Sequence, residues 1–214
     1  QKNHSFCCGF FVLLKYQTNS HIMKKYFFIL LFLQFGLFFS QYKPKDYHLE
    51  SKIVLKNSND TIKARILALW AFKKDHFAPQ TFMRKLTVFD AEGIKSKINE
   101  SDVKYLEIKD FDGKIRKFIN SFEILNKEIG LLEILYSGKM SYYFGFQTVN
   151  LYGNVNSTEY LVEKNKPLID TNLFSGSNKK LKERLSNYPD LIELLDKVSN
   201  KKDLIKILEL YNSK

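Results

Sequence analysis

Beyond residue 42 the apolar positions fall mostly two apart, in short runs separated by polar clusters, which is the period of half-buried strands. Thr61-Ile62-Lys63-Ala64-Arg65-Ile66 alternates, with Ile62, Ala64 and Ile66 on one side. The apolar run Ile53-Val54-Leu55 precedes it across the polar cluster Lys56–Asp60, so a β-hairpin is predicted. Leu67–Phe72, with Trp70 inside, is apolar without a clear period, and Lys73–Pro79 reads as a loop. Lys85–Phe89 predicts a strand, Asp90–Gly93 its turn, and Ile94–Ile98 alternates again. Asn99–Asp102 reads as a tight helical turn leading into a strand over Val103–Ile108. Asp112-Gly113 marks the next hairpin, because Gly accepts the positive φ that tight turns require, and Ile115–Ile119 is the return strand. Two more hairpins are predicted, around Ser137-Gly138-Lys139 and around Lys164-Asn165-Lys166.

The period changes after Phe174. Leu181 and Leu185 lie one helical turn apart, and Pro189 suits the first turn of a helix, where its missing N–H is not needed. Leu191, Ile192, Leu194, Leu195 and Val198 follow at helical spacing. Asn200 breaks the run, and Leu204, Ile205, Ile207, Leu208 and Tyr211 resume it. Helices this short do not persist alone, so they are expected to pack on the strands. The expected fold is α+β and mainly β: an antiparallel sheet or half-closed barrel of hairpins over residues 42–174, with a C-terminal helical tail over 175–214 packed on it.

The stretch Ile53-Val-Leu-Lys-Asn followed by Asn-Asp-Thr-Ile-Lys-Ala-Arg-Ile66 resembles the "LKNGDTIKGKI" hairpin that follows the signal peptide in a group of uncharacterised exported proteins of Gram-negative bacteria. The later order is also similar: the Asp112-Gly113 hairpin, the Ser137-Gly138-Lys139 turn, the Tyr160–Ile169 hairpin and a helical end closing on Leu210-Tyr211-Asn212. The resemblance covers most of residues 50–212. It departs at Asn59 and Ala64, where the group carries Gly, which implies a looser first turn. The group has no assigned activity, so the likeness implies export and architecture rather than chemistry. The opening hairpin also looks like the first strands of small Sm-like or SH3-like barrels, a likeness of fold alone.

The N-terminal part is patterned differently. Lys24 and Lys25 follow Met23, then come fourteen residues from Tyr26 to Phe39 with one polar interruption, then Ser40, Gln41 and Tyr42. A charged start, an apolar run and a small residue at its end make a removable export signal over residues 23–41, cut near Ser40–Tyr42. The alternative is an uncleaved anchor, but a helix of fourteen residues is about 21 Å long against a hydrocarbon core of about 30 Å. The working protein is therefore expected to be exported, in the periplasm or secreted, with no stable membrane anchor. Residues 1–22 are read as an upstream extension from a start site placed too early, the rival being a membrane hairpin with residues 26–39. Cys7 and Cys8 both precede Met23, so the exported domain is expected to be cysteine-free, without disulfide or thiolate chemistry.

The formal net charge is +11, and residues 1–40 contribute four lysines and no acid. A basic surface attracts polyanions. Outside the cytoplasm these are anionic envelope polysaccharide or lipid head groups, and another envelope protein is a further candidate partner. Nucleic acid is not expected; a cytoplasmic RNA-binding barrel would require the export signal to be misread. Lysine serving solubility is the bland alternative.

Candidate chemistry is sparse. His48 and His76 are the histidines beyond the signal, fewer than a metal site needs. Asp110-x-Asp112 and Asp90-x-Glu92 place carboxylates on one strand face, as acid–base work needs, but both flank predicted turns, where Asp bonds its own backbone. No nucleophile elbow, phosphate-cradling loop or dinucleotide fingerprint is present, so no cofactor and no catalytic residue are assigned. Tyr136, Tyr142, Tyr143 and Phe144 cluster in one hairpin, and alternate members would make an aromatic strip for sugar or peptide stacking, unless they serve cross-strand packing. The sequence thus leans toward a non-catalytic exported envelope protein with a binding or scaffolding role. The alternative is an extracytoplasmic hydrolase-like enzyme whose site is assembled from scattered carboxylates and tyrosines.

Overall fold

The computed structural model describes residues 43–58, 60–69, 77–78, 81–148, 155–171 and 178–214. The chain divides into two units, Gln1–Tyr42 and Lys43–Lys214; the first lies outside the described residues, and with it the segment read as a signal, Cys7 and Cys8. Asn59, Trp70, Asp75 and His76 also lie outside them. The expectation of a cysteine-free protein is corrected here. The chain carries two cysteines, and the expectation rested on removal of the segment that holds them.

The fold is mainly β, a ten-stranded antiparallel open sheet with short C-terminal helices. Its strands are β1 (His48–Leu55), β2 (Thr61–Leu67), β3 (Lys85–Phe89), β4 (Lys95–Asn99), β5 (Val103–Lys109), β6 (Ile115–Asn120), β7 (Leu131–Tyr136), β8 (Met140–Thr148), β9 (Val155–Glu163) and β10 (Ile169–Thr171). A single 3₁₀ turn, Glu100–Asp102, precedes β5, where the sequence predicts a helical turn. The helices are α1 (Ser121–Leu125), α2 (Asn178–Arg184), α3 (Pro189–Leu195) and α4 (Lys201–Asn212). Among the described residues no helix is long and apolar enough to cross a membrane.

The spatial order is β10-β9-β8-β7-β6-β5-β1-β2-β3-β4. Every neighbouring pair but one is a sequential hairpin, the exception being β1 against β5, with Ile53 opposite Leu106. Residues paired across the sheet share a face. The row Ile62, Ile53, Leu106, Phe118, Glu133, Phe144 and Glu159 therefore defines one face, called the front.

The front carries two apolar clusters. Over β1–β7, Ile53, Ile66, Leu86, Val88, Leu106, Ile108 and Phe118 close around Phe77 and Phe82. Over β8–β10, Met140, Tyr142, Leu161 and Ile169 are covered by Leu181, Leu185, Leu191, Leu195, Leu204, Ile207, Leu208 and Tyr211 of the tail. The helical stripe read from the sequence thus faces the sheet, and each fully buried Leu or Ile contributes about 1.5–3 kcal/mol. A smaller back-face cluster of Leu132, Tyr143 and Tyr160 lies under Ile124, Leu125 and Ile129. It closes because residue 145 is Gly: a Cβ there would meet Leu132 Cδ2 at 2.8 Å and the Tyr160 ring at 3.1 Å.

Candidate functional site

The four aromatics of the β7–β8 hairpin do not lie on one exposed strip. A register shift between Ile134 and Tyr136 sets Tyr136 opposite Tyr142, so both turn to the front, where Tyr142 is fully buried and Tyr136 packs against the tail cluster. Tyr143 points to the back and is also buried. Phe144 is half-buried on the front, with the Phe146 ring edge-on at 4.7 Å. Tyr142 and Tyr143 thus serve packing on opposite faces, as alternation along a strand requires.

What the front does assemble is a track of charges between its two apolar clusters. Arg116 of β6 binds Glu133 of β7 through both oxygens, at 2.7 Å (Nε) and 2.6 Å (Nη2), and reaches Asp110 at 3.3 Å. Its guanidinium lies 4.4 Å from the centroid of the Phe77 ring. Asp110 and Glu133 are both buried. Burial opposes the Arg116 charge, but the two carboxylates outweigh it and hold the guanidinium more firmly protonated than usual. Further along, Lys201 at the start of α4 contacts Glu159 at 3.2 Å and stands 3.0 Å above the Phe144 ring centroid. Burial lowers the Lys201 ammonium below the ordinary lysine range, against the pull of Glu159 and Glu133. The buried Tyr142 hydroxyl has no hydrogen-bond partner among the described residues. Burial first, then Glu159, pushes its ionisation far above the tyrosine range. An open groove of about 380 Å³ runs beside this track, lined by Asp110, Asp112, Lys114, Arg116, Glu133 and Leu135 among others.

Chemically each acid of the track faces a base: Asp110 and Glu133 share Arg116, and Glu159 has Lys201. A bidentate Arg–carboxylate pair is strong and directional, and it engages both oxygens of Glu133. The remaining buried front-face acid, Glu163, accepts from Arg184 at 3.0 Å and from the Tyr211 hydroxyl at 3.1 Å, with Lys166 at 3.3 Å. That set fastens the tail to β9. Glu100 does a similar task at the first cluster's rim, accepting from the backbone N–H groups of Arg84 and Leu131, each at 2.8 Å.

The candidate pairs flanking turns behave as turn residues. Asp90 Oδ1 accepts from the Ile94 N–H at 2.7 Å, Asp110 Oδ1 from Phe111 at 2.7 Å and Asp112 Oδ1 from Lys114 at 3.0 Å. His48 is buried and stacked on Phe89 at 4.2 Å. Burial, then Lys45 and Arg65, keep it neutral below the usual histidine range. Among the described residues no three His, Cys, Asp or Glu side chains are placed to hold a metal ion.

The back of β1–β6 has the opposite character. Lys63 lies opposite Lys52, Lys52 opposite Glu107, and Glu107 opposite Lys117, a continuous row across four strands. A second row sets Lys95 opposite Phe89, Phe89 opposite Arg65, and Arg65 opposite Glu50. Lys85, Lys97 and Lys109 extend the face on β3, β4 and β5, and all seven lysines are exposed. Sequence reasoning found the charge but not its segregation to one face.

No family model, no curated protein and no solved structure matches this chain. The functional reading therefore rests on the residues themselves.

Proposed function

We propose that this chain is a non-catalytic exported protein of the cell envelope that binds or scaffolds an envelope component. The observation that carries this reading is the engagement of the buried acids. Asp110, Glu133, Glu159 and Glu163 are each held by an arginine, lysine or tyrosine within 3.3 Å. A general acid or base must meet its substrate within hydrogen-bond reach, and these carboxylates are instead directed at cations and a hydroxyl of the sheet and the tail. The lysine pair, apolar run and small residue after Met23, with the "LKNGDTIKGKI"-like hairpin beyond them, support export.

Fractionation of the native host with N-terminal sequencing tests the location. The expected product begins near Tyr42 and is found outside the cytoplasm; a cytoplasmic product that retains residues 26–39 would overturn it. Purified protein is expected to turn over no ester, phosphate or glycoside. Turnover that disappears in Glu133→Gln or Glu159→Gln would establish the hydrolase instead.

A further inference from the structure

We propose that the back face of β1–β6 is the docking surface for a linear acidic polysaccharide; this deepens the binding reading above and rests on it. Seven exposed lysines, Lys85 of β3 among them, share that face with two carboxylates, Glu50 and Glu107. Arg65 takes Glu50 at 3.1 Å and Lys52 takes Glu107 at 2.7 Å. No described carboxylate lies within ion-pair distance of Lys63, Lys95, Lys97 or Lys109. Lys63 directly opposes Lys52, and like charges so placed weaken a sheet. The fold thus tolerates repulsion here that a polyanion would relieve, while its buried acids are kept on the other side.

The geometry favours a chain polymer of sugars over a lipid surface. The rows run across strands about 4.8 Å apart, so Lys63 and Lys52 stand about one pyranose ring apart, with Lys117 on the same line two strands beyond Lys52 and Lys95 two strands from Arg65 on the other. Thr61 and Thr87 lie among the lysines as hydroxyl donors, and Tyr105, half-buried in the neighbouring row, offers a ring. A membrane-binding face needs bulky apolar side chains interspersed with its cations. Here the strongly exposed apolar side chains stand at hairpin ends: Ile94 (65%) precedes β4 and Ile115 (51%) opens β6 opposite Lys109, while the Lys63–Lys117 row itself carries none.

The test measures binding of the purified protein to polygalacturonate over a range of salt, beside neutral dextran, phosphatidylethanolamine/phosphatidylglycerol vesicles and duplex DNA. Two triple variants remove equal charge: Lys63→Gln/Lys97→Gln/Lys117→Gln on the back face, and Lys179→Gln/Lys202→Gln/Lys206→Gln on the tail. Both should keep the circular dichroism of the parent. The back-face triple is expected to bind polygalacturonate at least about tenfold more weakly, with a log–log salt slope shallower by up to about three, one for each lost contact. The tail triple should change affinity less than about twofold. Equal losses in the two triples, or tighter binding to vesicles, dextran or DNA than to polygalacturonate, would overturn the assignment. A protein found outside the cytoplasm that ignores polygalacturonate would refute this docking face and leave the envelope reading standing; a cytoplasmic protein refutes both.

Discussion

Two buried tyrosines on the front face differ in one respect, whether the hydroxyl has a partner. Tyr211 donates to Glu163 at 3.1 Å, whereas among the described residues the Tyr142 hydroxyl makes no hydrogen bond. A hydrogen bond to a charged group contributes about 1.5–3 kcal/mol, while a buried hydroxyl without a partner is a desolvation loss. Tyr211→Phe should therefore lower urea stability by about 1.5–3 kcal/mol, and Tyr142→Phe should leave it unchanged or raise it by up to about 1 kcal/mol. Equal losses at both positions would show that the Tyr142 hydroxyl is satisfied. Arg116→Met strands Asp110 and Glu133 in a buried setting, and denaturant unfolding should register a loss of about 3 kcal/mol. Neither residue of the Arg116–Glu133 pair was legible from the sequence. They lie seventeen positions apart, and what joins them is the β6–β7 register that sets Phe118 opposite Glu133. Local patterning carries no information on such a register until the hairpin partners are known.

At the level of elements the turns were the most legible features. Gly113 has the positive φ (81°) that its Asp-Gly signal calls for, and Asn200, read as a break, is the α4 cap, accepting from the Asp203 N–H at 3.1 Å. Strand starts were less legible where polar side chains carry the burial. β1 begins at His48 rather than Ile53, because buried His48 and Ser51 interrupt the apolar series. β9 begins at Val155 rather than Tyr160, since the front face of its first half ends in buried Glu159. The short α1 was missed although Asn120 caps it and Glu123 occupies the third helical position, a capping signature.

The tail also has an acid dependence of definite sign. Burial works against ionisation of Glu163, but hydrogen bonds from Arg184, Tyr211 and Lys166 prevail and keep its carboxyl below the ordinary glutamate value of 4.5. A depressed acid stabilises the fold above its unfolded value and loses that contribution as pH falls through the folded one. The tail helices should therefore loosen as pH drops below about 4.5, seen as lost far-ultraviolet helix signal and Tyr188–Tyr211 near-ultraviolet signal. Glu163→Gln should be less stable at neutral pH and flatter across that interval. Glu100 runs the other way: burial raises its carboxyl despite the Arg84 and Leu131 N–H groups, so acid relieves a cost there, at the rim of a different cluster.

For the molecule as a whole, the sheet cannot cover its own C-terminal half. Met140, Tyr142, Leu161 and Ile169 depend on the tail for shelter, so a chain ending at residue 177 should bind a hydrophobic dye and self-associate, with light scattering as the readout. The mainly β architecture and its helical end were readable because periods of two and of 3.6 residues are local properties. The placement of β1 between β5 and β2 was not, because it is a long-range choice. That one seam has a kinetic meaning. Eight strands can zip onto the strand just made, as a chain emerging from its N-terminus would present them, but β1 must keep one flank vacant until β5 emerges about fifty residues later. Such a delayed closure raises contact order at a single point, and it makes the β1–β5 junction the step at which refolding speed, and capture by holdase chaperones before it closes, would be decided.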